Sequence, residues 1–324
     1  MRILGIVDPK EVLRAFEKTF CDGVAGVMLF DSGRPGPTVA ITACTHGNEP
    51  CGLYAIEHIH QMLTAGKSLL YGRLFLVVNN IRAAKAYLFP EKGIVCASPT
   101  ARYIDLNMNR LPVDLSVNVG DAYLYEVMRA KELLPIWQQF DFALDFHSTS
   151  KPSLPMIVTG RDTFPAREVR GMDVYRVLSN IDSVQIGKPA FAYYGTGRNF
   201  ERVFEIEAGK HDLVETYERA ARCAEQFLRN VGVYGEVPIL TQTTQYEEYR
   251  IYGYVRLQSQ GYRIVRVFAD FESVSSGTVL ASGPGPDYVA PRDSHTLFCP
   301  SDINNVDLNE EALFLSDAVR HWSL

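Results

Sequence analysis

Val39-Ala40-Ile41-Thr42-Ala43-Cys44-Thr45-His46-Gly47-Asn48-Glu49-Pro50 is the stretch that decides the fold. Its opening run, Val39 to Cys44, is apolar and partly β-branched, which suits a buried strand. The run ends at His46-Gly47, and Pro50 stands where a helix can begin, because proline is tolerated in a first turn. Leu53, Ile56 and Leu63 follow at helical spacing and predict the inner face of that helix. His46 and Glu49 therefore fall on a strand-to-helix turn, where their spacing lets both side chains converge on one ion. Gly47 is expected to permit the tight backbone that convergence needs. An H-x-x-E match alone is common by chance, and it is not the H-E-x-x-H pattern in which two histidines share a helix face.

The same alternation continues along the chain. Leu74-Phe75-Leu76-Val77-Val78, Phe142-Ala143-Leu144-Asp145-Phe146-His147, Met156-Ile157-Val158 and Val203-Phe204-Glu205-Ile206 read as short buried strands. Residues 121–138 and 212–230 read as helices. Short buried strands alternating with helices predict an α/β fold, a mixed or largely parallel sheet flanked by helices. Ligands in such sheets gather beyond the carboxyl ends of the strands. His46, His147 and Glu207 all lie at or just past a strand end. After about Gly235 the texture changes: Tyr252 to Leu257 and Tyr262 to Phe268 alternate like strands, and Gly283-Pro284-Gly285-Pro286 is a turn or loop. The expected organisation is a domain over 1–234 followed by a smaller β-rich C-terminal domain over 235–324.

At 324 residues the chain is long enough to bury a substantial core, and 47% apolar with 22% charged residues is ordinary for a soluble globular protein. The formal net charge of −6 argues against nucleic acid as the main partner. The N-terminus breaks into charge too early for a secretory signal, and no apolar run approaches the roughly 20 residues needed to cross a bilayer. A cytoplasmic protein without membrane contact is expected. The cysteines Cys21, Cys44, Cys51, Cys96, Cys223 and Cys299 are scattered, with no C-x-x-C pair, and read as reduced, mostly buried thiols.

Two imidazoles and a carboxylate suffice to hold a catalytic zinc with one position open. His147 is the candidate third ligand, and Asp145, two residues earlier on the same strand, points the same way. Asp145 could accept a hydrogen bond from the ring nitrogen turned away from the metal. A buried histidine satisfied by a neighbouring carboxylate is the plain alternative. Arg102-Tyr103-Ile104-Asp105-Leu106-Asn107-Met108-Asn109-Arg110, bounded by Pro99 and Pro112, is too polar for a core strand. Its arginines and asparagines suit the gripping of a carboxylate, against the alternative of solvated surface charge. Glu205 and Glu207 share strand parity, so periodicity does not separate them. His58, His60, His211, His295 and His321 read as structural.

Taken in order, His-Gly-Asn-Glu, Arg-Tyr-Ile-Asp-x-Asn-Met-Asn-Arg, Asp-Phe-His and Ile-Glu-x-Gly resemble the succinylglutamate desuccinylase/aspartoacylase family. That family belongs to the zinc carboxypeptidase superfamily, and the arginine segment is more similar to the aspartoacylase branch. The resemblance spans roughly residues 40–210. It implies a zinc-carboxypeptidase-like mixed sheet, with one Zn2+ per chain on His46, Glu49 and His147. It implies Glu207 as the catalytic glutamate, favoured over Glu205 by its Glu-Ala-Gly context, and Arg102 as the group that polarises the scissile carbonyl. Asn109 and Arg110 match the pair that holds the substrate α-carboxylate. Tyr194 and Arg198 match residues that face the substrate. The expected activity is zinc-dependent hydrolysis of the amide of a small N-acyl amino acid, releasing a carboxylate and a free amine. A metallocarboxypeptidase acting on small peptides and a non-catalytic zinc-binding relative are the alternatives, and assembly into a homo-oligomer is left open. Unlike aspartoacylase, the chain has no tyrosine around Asp307-Leu308-Asn309.

Overall fold

The strand expected over 39–44 forms as Thr38–Ala43, buried along its whole length. Cys44 then leaves it in the left-handed conformation, with φ 53°. The helix that follows spans Cys51–Thr64. Gly52 lets its first turn lie against the strand: a Cβ there would stand 2.8 Å from the Cβ of Ala43. Leu53 and Ile56 are buried on its inner face, and Leu63 packs at the edge of the same core. The computed structural model describes residues 7–115, 124–160, 164–195, 202–235, 244–298, 303, 306, 308, 310–317 and 319–323.

Among the described residues the centre is a mixed sheet of twelve strands. Thr38–Ala43 pairs in parallel with Arg73–Val78 on one side and Phe142–Thr149 on the other. Phe142–Thr149 pairs in parallel with Val203–Lys210, which in turn pairs antiparallel with Met156–Thr159. These are the strands expected from the sequence, each within a few residues of its predicted bounds. Period-two alternation divides their side chains between two cores. Val39, Ile41, Leu144 and Phe146 face one core with the helices Cys51–Thr64 and Val214–Asn230. Ala40, Phe75, Val77 and Ala143 face the other, against the helix Tyr125–Trp137.

The sheet continues past the boundary placed between residues 234 and 235. Gln245–Val255 pairs in parallel with Arg176–Ser179 and antiparallel with Leu313–Ser316. Beyond it lie Ser294–Leu297 and Glu272–Val274. The C-terminal region also has its own small sheet of Arg263–Ile264, Val279–Ser282 and Tyr288–Val289, and its own apolar cluster around Phe268 and Leu280. Of the alternating stretch 262–268, only Arg263–Ile264 is paired as strand. Among the described residues no helix is long and apolar enough to cross a membrane.

Candidate active site

His46, Glu49 and His147 arrive from two neighbouring places in the sheet, the turn after Thr38–Ala43 and the strand Phe142–Thr149. The turn is tied through its backbone to the arginine segment: Gly47 N–H donates to the carbonyl of Arg102 at 2.8 Å. Gly47 does not adopt a positive φ. Its requirement is space, since a Cβ would stand 2.3 Å from the backbone of Ala83 and 2.4 Å from the Ala101 carbonyl oxygen. All three side chains are about 1% exposed. His46 Nδ1 lies 3.0 Å from Glu49 Oε1, His147 Nδ1 lies 2.8 Å from Glu49 Oε2, and the two Nδ1 atoms are 3.2 Å apart.

The outer ring nitrogens reveal why these atoms suit a cation. His46 Nε2 lies 2.8 Å from Asn107 Oδ1. That same oxygen accepts from Asn109 N–H at 2.7 Å, while Asn107 Nδ2 donates to Glu310 at 2.6 Å. The amide is thereby oriented, and His46 must donate from Nε2, leaving a lone pair on Nδ1. His147 Nε2 lies between Asp145 Oδ2, at 3.3 Å, and Glu205 Oε1, at 3.4 Å. Two carboxylates there keep its proton on Nε2 and turn Nδ1 toward His46 and Glu49. Two imidazole Nδ1 atoms and a carboxylate thus meet in a buried place. This donor set fits a zinc ion with protein ligands on three sides.

The electrostatics follow from this crowding. Burial would raise the Glu49 carboxyl, but His46, Arg102 and His147 outweigh it and hold it well below the usual range. Burial and the Arg102 guanidinium lower His46. Burial would also lower His147, but Glu205, Asp145 and Glu49 outweigh it and raise the imidazole well above its ordinary value. Glu207 is pushed up to about 8 by burial and by the nearby carboxylates of Glu49 and Glu205. Its Oε2 is buried with no hydrogen-bond partner.

Glu207, Glu49, Arg102 and His46 line one cavity of about 450 Å³. Arg102 pairs with Glu49 through a short contact and is about one-third exposed, toward that cavity. Asn109 and Arg110 also line it, but both are turned to protein partners. Asn109 Nδ2 donates to Glu205 Oε1 at 2.9 Å, and Arg110 meets Glu311 at 2.6 Å. Tyr194, expected to face the substrate, lies beneath the site instead. It is 3% exposed, and its hydroxyl sits 2.8 Å from Asn79 Nδ2 and 3.4 Å from Asp145 Oδ2. Its phenol is consumed in the packing that supports Asp145. Arg198 lies outside the described residues.

Several residues here had no signal that sequence reading used. Glu126 is fully buried and accepts the backbone N–H groups of Ile104, Asp105 and Leu106, at 2.6, 3.0 and 3.0 Å, so it anchors the arginine segment. His211, read as structural, is on the cavity wall with Nδ1 2.8 Å from Ser148 Oγ. Its position just past the strand that carries Glu207 was the available clue. Glu310 and Glu311 reach the cavity from the C-terminal region. Cys51 donates to the His147 carbonyl at 3.3 Å, and burial pushes its thiol up to about 12, as expected of a structural cysteine.

Residues 35–232 match the family model described as the succinylglutamate desuccinylase/aspartoacylase catalytic domain. The chain belongs to that family. It is an enzyme family of deacylases. Solved structures carry the same fold. A succinylglutamate desuccinylase from Vibrio cholerae matches with a TM-score of 0.67 at 14% identity, covering 90% of this chain and 85% of that one. Murine aminoacylase 3 matches with a TM-score of 0.61 at 20% identity, covering 90% and 97%. The product-bound ectoine utilization protein EutE (DoeB) from Ruegeria pomeroyi matches with a TM-score of 0.52 at 20% identity, covering 84% and 82%. Comparison of the sequence with curated proteins gives no significant match.

Proposed function

We propose that this family member is a cytoplasmic, zinc-dependent amidohydrolase that cleaves the amide of a small N-acyl amino acid. The observation that carries the reading is the meeting of His46, Glu49 and His147 at the wall of a cavity that His46 and Glu49 line together with Glu207, whose buried Oε2 has no hydrogen-bond partner. His46, Glu49 and His147 would hold one Zn2+ per chain, with Asp145 fixing the His147 ring. When bound there, Zn2+ supplies Lewis acidity toward water and the acyl oxygen.

The chain's own groups complete the chemistry. Glu207 takes the proton of the attacking water at Oε2, a buried oxygen with no protein partner, and returns it to the departing nitrogen. Arg102 directs its guanidinium into the cavity and donates to the oxygen that becomes negative as the tetrahedral centre forms. Asn109 and Arg110 border the region proposed for the amino-acid half of the substrate. Arg198 remains a candidate partner for a substrate side-chain carboxylate.

Amine release from a panel of N-acetyl, N-succinyl and N-formyl amino acids, with and without chelator and added zinc, tests the reading. Chelator-sensitive release establishes the hydrolase and its acyl class. Release from dipeptides alone would replace it with a metallocarboxypeptidase. Silence on these, on larger acyl groups and on N-acyl amino acid amides, with zinc bound, would replace it with a non-catalytic zinc protein.

A further inference from the structure

Every cationic side chain that lines the cavity among the described residues already meets a carboxylate of the protein. Arg102 meets Glu49, Lys151 Nζ lies 3.0 Å from Asp270 Oδ1, and Arg110 meets Glu311. The first pair involves a metal-site residue, and the second is tied down further by a Lys151 bond to the Phe268 carbonyl at 3.0 Å. The third pair is the informative one, because Arg110 lines the cavity and, on the reading proposed above, borders the amino-acid half of the substrate.

The Arg110 guanidinium is close to saturated. Nε donates to Glu311 Oε2 at 2.7 Å, Nη2 lies 2.6 Å from that oxygen, and Nη1 donates to the Asn109 carbonyl at 2.8 Å and to Gln185 Oε1 at 3.2 Å. A guanidinium has five N–H donors, so one remains without a partner among the described residues. Glu311 is nearly filled too: Oε2 takes two of these donors and Oε1 accepts the Ile186 N–H, three of about four acceptor sites. The Glu311 side chain has no exposure and that of Arg110 only 13%. A carboxylate arriving from solvent would have to displace a buried partner that is held by three bonds and shares its chemistry. It would also enter beside Glu205, Glu207 and Glu310, which line the same cavity.

We propose that Glu311 occupies the carboxylate seat on Arg110, so that the chain selects N-acyl compounds whose amine half bears an amide or other non-anionic group in place of a free α-carboxylate. Glu311 is then a specificity-determining residue, and the inference rests on the hydrolase reading above while narrowing its substrate class. Gln185 and Ile186, adjacent in sequence, each bond one member of the pair, Gln185 to Arg110 and Ile186 N–H to Glu311. No local motif announces it, because Glu311 is 201 residues from Arg110 in sequence.

The test compares matched acid and amide pairs, N-acetyl amino acids and N-acetyl amino acid amides, over several side chains. Binding to the zinc-loaded Glu207→Gln protein is measured by calorimetry, and amine release is measured with the zinc-loaded wild type. The proposal expects the amide to bind at least tenfold more tightly than its acid. It also expects Glu311→Gln, added to the same background, to reduce that ratio at least tenfold by freeing Arg110. Should that variant not fold, Glu311→Asp, which keeps the charge but withdraws it by one methylene, should shift the ratio in the same direction. Equal binding, a preference for the acid, or a ratio unmoved by the Glu311 variants overturns the proposal. Amine release reports separately on the parent reading: an amide preference in binding without any amine release would fail the hydrolase and leave the specificity intact.

Discussion

His147 and Glu207 are register partners on adjacent parallel strands, so the nitrogen proposed as a metal ligand and the carboxylate proposed as base are delivered to the same face at the same level. One step back along both strands, Asp145 and Glu205 are partners in the same way. Glu207 and Glu205 both line the cavity, while Asp145 at 3.3 Å and Glu205 at 3.4 Å set the His147 ring through its Nε2. Since side chains alternate with period two, a one-residue slip between these strands would turn Glu205 and Glu207 to the opposite face, into the apolar core. The site is thus a property of the strand register.

Glu207→Gln should retain the metal and lose nearly all turnover. General acid–base groups contribute on the order of 10²–10⁴-fold, and the glutamine keeps the shape of the side chain while removing the proton acceptor. Metal content by elemental analysis beside amine release checks this. A metal-free variant would make Glu207 a ligand and shift the base to another residue.

The metal-free protein should carry a pH signature of the same carboxyl. Glu207 is raised from 4.5 to about 8 in the fold. Between those values the folded protein holds a proton that the unfolded chain has released, so stability falls as pH rises through the window. The effect is on the order of a few kcal/mol at its upper end, and Glu207→Gln removes it. Denaturant titrations of chelated wild type and variant at pH 4 and pH 8 should show near-equal stability at the acid end and a more stable variant at pH 8. Parallel pH dependence in the two proteins would contradict the assignment.

Arg102→Ala should fold and bind metal, but turn over about 10²–10³-fold more slowly, as expected for loss of one oxyanion donor worth ~2.7–4 kcal/mol of barrier. The loss should appear mainly in kcat, because the contact strengthens as charge develops. Wild-type turnover would remove Arg102 from the chemistry, and a change confined to KM would make it a binding group.

How much of this was legible in the sequence depends on distance along the chain. The buried strands declare themselves by composition, and their carboxyl ends mark His46, His147 and Glu207, so fold and cavity follow from local patterns. Parity placed Glu205 and Glu207 on one face correctly, but it could not say that Glu205 would be bonded by Asn109 and Glu207 Oε2 left without a partner. Tyr194 shows the limit of a motif, since matching a residue type did not convey that its hydroxyl would be spent on Asn79 and Asp145. Glu126 and Glu311 were not legible because their partners belong to other elements, and nothing in the residues around them encodes those contacts.

Asn107 should prove to be a determinant of metal affinity without touching the metal. Its Oδ1 faces His46 Nε2 at 2.8 Å and is itself oriented by the Asn109 N–H. Outer partners of this kind typically contribute 10–100-fold in affinity. Asn107→Leu, similar in volume but unable to accept, should weaken zinc binding by about that factor in competition with a chromophoric chelator. Unchanged affinity would mean that His46 needs no such partner.

Glu126→Ala should be among the most destabilising single changes near the site. The carboxylate accepts three consecutive backbone N–H groups of the arginine segment and the side-chain amide of Asn80, all from a fully buried position. Its removal strands donors that water reaches poorly, at about 1–3 kcal/mol each, so a loss of at least ~3 kcal/mol is expected. The same backbone carries Arg102 and Asn107, so a folded remnant should also bind zinc less tightly and turn over more slowly. Glu126→Gln, which keeps one acceptor oxygen, should fall between wild type and alanine on both measures. Chemical denaturation of the three proteins decides it: a loss under ~1 kcal/mol for the alanine variant would show that the segment is held by its other contacts.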